Sequence, residues 1–126
     1  MWPDAEAALI AWLTPHLGVR VCTDTPADLD HAVPLLRLQR IGGGDDGFRL
    51  DLAVVDLDAF AVTRAGAADL ATRARTALLA DLPGSALPDV VFTSAATVAA
   101  PAWRPWASQA VTRIGATYAV RLHTRP

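Results

Sequence analysis

The chain has 126 residues, of which 26 are alanine and none is lysine; its 11 basic residues are all arginine, and its 13 acidic residues are 12 aspartates plus Glu6. The formal net charge of −2 lacks the basic excess of a general nucleic-acid binder, so no sequence-specific nucleic-acid contact is expected. Without lysine there is no Schiff-base enzyme, no pyridoxal-phosphate anchor and no Walker A loop, since each needs an ammonium at a fixed place. The length fits a single domain over residues 1–126, at the usual size of about 100–150 residues. Hydrophobic content of 52% supplies a core, but so much of it is alanine that the core is thin or is completed by neighbours. Cys22 is the single cysteine and can close no internal disulfide, which fits a reducing compartment or a fold stable without staples. The opening MWPDAEAALIAWL carries two acids and no basic stretch, so it does not read as a signal peptide. No run approaches the roughly 18–20 apolar residues of a membrane span.

The first segment reads as a helix. Ala5, Ala8, Leu9, Trp12 and Leu13 form one apolar stripe at helical spacing. Pro3 suits the first turn, Asp4 and Glu6 sit at the positive end of the dipole, Pro15 kinks or ends the helix, and Gly18 is its stop. A short strand is predicted over Val19 to Thr23. Asp24 to Val33 is a connector in which Thr25-Pro26-Ala27-Asp28 allows a short helical turn. Leu35 to Ile41 reads as a strand with Leu36 and Leu38 opposite Arg37 and Gln39. Gly42 to Gly47 reads as a flexible hairpin connection. A strand from about Arg49 to Ala61 follows, with Val55, Leu57 and Ala59 on one face and Asp56, Asp58 and Phe60 on the other; its register slips near Val54-Val55, which suggests a bulge.

Thr63 is the expected cap of a second helix, Arg64 to Leu82, whose buried stripe is Ala67, Leu70, Ala71, Ala74, Ala77 and Leu78. Asp69 and Arg73 are spaced to pair on it, and Pro83-Gly84 ends it. Two strands close the chain, Val90 to about Val98 and Arg113 to Thr124. In the last, Ile114, Ala116, Tyr118, Val120 and Leu122 alternate with Gly115, Thr117, Ala119 and Arg121. Between them Pro101 to Trp106 is a stiff aromatic loop. The order α-β-β-β-α-β-β predicts an α+β domain, a mostly antiparallel sheet with two main helices on one face.

Few residues suggest chemistry. The IGGGDDG loop is followed by Phe48 and Arg49 and then a strand, which fits neither a Walker loop nor a dinucleotide loop. It reads as a hairpin loop that is mobile alone and orders against a partner. His16, His31 and His123 share no metal-ligand spacing, and Asp28, Asp30 and His31 sit on a connector that reads as a solvated loop. Ser85, Ser94 and Ser108 lack a nucleophile-elbow context, and Cys22 reads as a small core residue. Asp56 and Asp58 are spaced for a paired-carboxylate site or for salt links to arginines such as Arg37 or Arg121; with no third ligand in view the salt links are favoured. Trp103-Arg104-Pro105-Trp106 is open to two readings, an interface hot spot or a cover over an edge of the core. No cofactor, metal or catalytic set is expected.

Taken in order, four segments resemble the tail terminator (tail completion) proteins of long-tailed phages, those of actinobacterial hosts above all. They are MWPDAEAALIAWLTPHLGVRV, PLLRLQRIGGG, LDLAVVDLDAFAVTRAGAADLATRARTALL and VTRIGATYAVRLHTR, the last preceded by the Trp/Pro loop. Leu52-Ala53 departs from the pattern, where a more polar, often proline-containing stretch is expected. The resemblance implies a structural virion protein at the tail–neck junction, assembled in the host cytoplasm. It implies a ring, commonly of six copies, that caps the tail tube, stops addition of tube protein and docks the head connector, with DNA passing through its lumen. The expected partners are therefore further copies of the chain, the tube protein and the connector.

Gly43, Gly44, Asp45, Asp46, Asp56, Asp58, Trp103, Arg104, Trp106 and Arg113 are the candidate assembly residues. Sheet edges and the Trp103–Trp106 loop are expected between copies, with the Gly42–Gly47 loop toward tube or connector. The alternatives are another head–tail joining protein, the same part of a gene transfer agent or tail-like injection particle, and a small enzyme with an Asp56/Asp58 metal site.

Overall fold

The first helix starts directly after Asp4, which caps it, so Pro3 lies ahead of the first turn that it was expected to join. In the computed structural model, which describes residues 1–126, α1 spans Ala5–Leu17 and the Asp4 carboxylate accepts the Ala7 N–H at 3.0 Å. Gly18 closes it in the left-handed conformation, φ 68°, its N–H reaching the Thr14 carbonyl. Pro15 lies inside the last turn and does not end the helix; so near the terminus its missing N–H forfeits one bond, and the Gly18 cap secures the rest.

The remaining elements are β1 (Arg20–Cys22), α2 (Leu29–Ala32), β2 (Leu35–Asp45), β3 (Asp51–Ala61), α3 (Arg64–Thr76), β4 (Val90–Trp103) and β5 (Thr112–Thr124). They form one sheet in the order β1-β2-β3-β5-β4. β1 runs parallel to β2, and every other pair is antiparallel. This is the expected α+β domain, with the short α2 turn added.

One face of the sheet carries both long helices. Leu36 and Leu38 of β2, Val55, Leu57 and Ala59 of β3, and Ile114, Tyr118, Val120 and Leu122 of β5 meet the α1 stripe and Leu70, Ala71, Ala74 and Leu78 in a single buried cluster. The alanines of α3 let its backbone lie close against the strands. Thr63 caps α3 through its hydroxyl, which accepts the Gly66 N–H at 3.0 Å. The helix was expected to run unbroken to Leu82; instead its last stretch, Ala77–Asp81, widens to a π turn. Leu78 and Leu82, on either side of it, are both fully buried. Arg73 does not pair with Asp69 but donates to the Leu17 carbonyl at 2.8 Å, tying α3 to the end of α1.

Three expectations are corrected. The bulge lies on β2, where the register shifts between Arg40 and Gly42, while β3 runs straight. Val54 and Val55 are both apolar because Val55 faces the helices and half-buried Val54 faces the other side. Gly42 to Gly44 are not loop: they pair with Val54, Ala53 and Leu52, so the connection narrows to residues 46–50. β4 continues past Val98 to Trp103, because the long β5 offers partners as far as Ile114.

Candidate functional site

The face of the sheet turned away from α1 and α3 gathers half of the candidate residues around one carboxylate. Strand alternation turns Asp56 and Asp58 of β3 away from the helices, and the register sets Asp58 between Arg37 of β2 and Gly115 of β5. Asp58 is 3% exposed. Its Oδ2 accepts from Arg37 Nη2 at 2.8 Å and its Oδ1 from Arg104 Nη1 at 3.3 Å, with Arg113 Nη1 at 4.0 Å. Asp56 accepts the Thr117 hydroxyl and lies 3.6 Å from Arg104. Arg104 crosses the sheet directly over Gly115, where a Cβ would meet the Asp58 carboxylate and stand 2.6 Å from the Arg104 side chain. Only glycine lets the guanidinium reach the buried carboxylate.

Trp106 is held by the same arginines. Its ring meets Phe60 edge-on at 4.9 Å, and the guanidinium carbons of Arg37 and Arg113 lie 5.3 and 4.9 Å from its centroid. Arg113 also donates to the Pro105 carbonyl at 2.9 Å. Three guanidiniums thus share two carboxylates and one indole, and the Nε atoms of Arg37 and Arg113 are left without an acceptor. With both Asp58 oxygens occupied by arginine, the carboxylate pair is a structural clasp, as the salt-link reading expected. Arg37 belongs to it; Arg121 does not, because it stands opposite Leu52, far along β5.

The two tryptophans therefore part company. Trp106 covers the sheet, with Leu29, Leu35, Phe60 and Val111 beneath it. Trp103, at the end of edge strand β4, is 53% exposed, with the Arg64 guanidinium 5.6 Å from its ring centroid.

The β2–β3 hairpin is tied by side-chain hydrogen bonds at both its stem and its tip. Arg40 forks onto buried Asp51 at 2.6 and 2.9 Å, a contact that raises the arginine's pKa further and locks the stem. At the tip, Asp46 Oδ1 accepts the N–H groups of Phe48, Arg49 and Leu50 at 2.8–2.9 Å. These amides, Phe48 first, hold the Asp46 carboxyl below its ordinary value. Asp45 Oδ1 accepts from Gly47 N at 2.8 Å. Gly43 takes φ 125°, and a Cβ there would run into the Leu52 carbonyl, so no other residue fits. This frame presents Phe48, 82% exposed, at its end. Gly44, Asp45 and Asp46 belong to the same arm, and Phe48 is its most exposed apolar side chain. Phe48 went unremarked in the sequence; its signal is a lone aromatic within a Gly/Asp run.

The family model described as phage tail termination protein matches residues 1–98. The chain belongs to that family. No curated protein matches it significantly. The matched span runs from α1 into β4, so the hairpin, Asp56 and Asp58 lie inside it, while Trp103, Arg104, Trp106, Arg113 and β5 lie beyond. A tail termination protein is a structural component of the virion tail that serves its completion. No helix here is long and apolar enough to cross a membrane.

Proposed function

We propose that this chain forms a ring of six copies that caps the finished tail tube, ends addition of tube subunits and offers the docking surface for the head connector. The observation that carries the ring is the β4 edge. Val90 to Trp103 is a 14-residue strand without one charged side chain; Gly84, Ser85 and Leu87 bond to the outer side of Val90 and Phe92, and from Thr93 onward that side has no strand partner. Long uncharged edges are what solitary domains avoid, because their free N–H and C=O groups recruit other strands. The opposite edge, β1 and β2, runs antiparallel to β4 by the strand order. Rotation about an axis along the strands therefore brings β4 of one copy antiparallel to the β1–β2 edge of the next, a head-to-tail contact that closes a ring. Exposed Trp103 adjoins this edge and contributes an aromatic anchor to it.

Light scattering on the purified protein, alone and with tube protein, tests the proposal. A hexamer, or a monomer that becomes a ring on adding tube protein, is expected. A stable monomer indifferent to both tube and connector would contradict it.

A further inference from the structure

The hairpin tip and a groove elsewhere on the same chain are complementary. Phe48 stands free on a tip already ordered by Asp46 and by the Arg40–Asp51 fork, so little conformational entropy is lost when it seats in a partner. Beside it Arg49 is exposed and forms no ion pair. The groove, about 470 Å³, lies between the start of α1 and the outer end of the sheet, lined by Trp2, Pro3, Ala7, Ala11 and Leu87. The groove has room for an aromatic ring and more of the hairpin tip beside it, and apolar walls are what the ring needs. Two exposed aspartates, Asp4 and Asp89, also line it, and neither forms an ion pair.

Topology brings the two together in a ring. Asp51 at the hairpin base is opposite Leu122, and Val90 is opposite Thr124. The groove residues Val90 and Thr124 therefore stand at the same end of the sheet as the hairpin. They belong to β4 and β5, on the far side of the sheet from β2. Copies set side by side around an axis along the strands meet β2 side to β4 side, with hairpin and groove at one level.

We propose that Phe48 of each copy seats in the groove between α1 and the β4–β5 end of the next copy, with Arg49 facing its Asp4 and Asp89. The contact rests on the ring reading above and specifies its anchor. Because knob and groove lie on opposite sides of the sheet, the contact is head-to-tail, closing into a ring where the rotation returns to its start and running on as a filament where it does not.

The test mixes two full-length variants in a Cys22→Ser background, one carrying Phe48→Cys and the other Ala7→Cys. After ring assembly with tube protein and mild oxidation, a disulfide-linked mixed dimer is expected, with none from either variant alone. Phe48→Ser, at an exposed site that leaves the far-UV spectrum unchanged, is expected to weaken assembly about tenfold or more. Arg49→Asp weakens it too, and Asp89→Arg in the same chain restores it. Rings that form without the mixed disulfide overturn the contact and leave the ring standing. Phe48→Ser rings that assemble normally but no longer cap tubes also overturn it, and assign the hairpin to the tube. Wild-type protein that forms no ring under any condition removes the ring reading and this contact with it.

Discussion

Removing the Asp58 carboxylate should be the most damaging single change on the sheet face turned away from α1 and α3. Asp58→Ala leaves Arg37 without its 2.8 Å acceptor, Arg104 without its 3.3 Å one and Arg113 without its neighbour at 4.0 Å. Stripping one partner from a buried ion pair costs about 3–5 kcal/mol, because a desolvated charge is left behind. Here the three arginine side chains keep 15–29% of their exposure and Asp56 remains 3.6 Å from Arg104. The expected loss is therefore about 2–3 kcal/mol, just below that range. For a chain of this size that lowers Tm by roughly 6–18 °C. Urea unfolding followed by far-UV circular dichroism at pH 7 measures it. A cycle with Arg37→Ala should return a coupling of about 1–3 kcal/mol, and Asp58→Asn, which keeps one acceptor oxygen, should fall between wild type and Asp58→Ala. A loss under about 0.5 kcal/mol, the range of an ordinary surface change, would refute the clasp.

Further outcomes follow from the same geometry. Gly115→Ala forces a Cβ into the space of Arg104 and Asp58 and should cost about 1–3 kcal/mol in the same urea assay. Trp106→Ala, which uncovers Phe60 and two guanidiniums, should cost about 2–3 kcal/mol, below the full-burial value because the indole is only half-buried. Trp103→Ala should leave the free chain within about 0.5 kcal/mol of wild type and reduce ring assembly measured by light scattering. Asp46 supplies a pH dependence. Its carboxyl is held below the ordinary 3.8 by the Phe48, Arg49 and Leu50 amides, so its contribution to the hairpin is present in full above that value and is lost as pH falls through the lower folded value. Amide-exchange protection at residues 48–50 should drop across that acid range while the α1 amides stay protected.

The helices and the last strand were legible because local signals and tertiary demands coincide there. Gly18 and Thr63 cap as expected, and the alternation of β5 from Ile114 to Leu122 survives intact since one of its faces is wholly buried. The Gly42–Gly44 stretch was misread because glycine has low strand propensity; pairing with Leu52 to Val54 overrides it, and the Gly43 conformation admits nothing else. The misplaced bulge has a related cause. Two consecutive valines look like a slipped register only if the second sheet face is polar, and here Val54 is half-buried on that face. In the candidate site, the pairing of Asp58 with Arg37 was readable from alternation. The Arg104 crossing was not, because it depends on a glycine 11 residues later on the neighbouring strand. The split between Trp106, half-buried among arginines, and Trp103, left in solvent, likewise depends on where β4 ends.

Tail-length distribution by electron microscopy tests the central claim most directly. Particles assembled without this chain are compared with particles assembled with it. Termination by this protein predicts tails of uniform length joined to heads when it is present, and overlong, headless tails when it is absent. Tails of unchanged length in its absence would contradict the account.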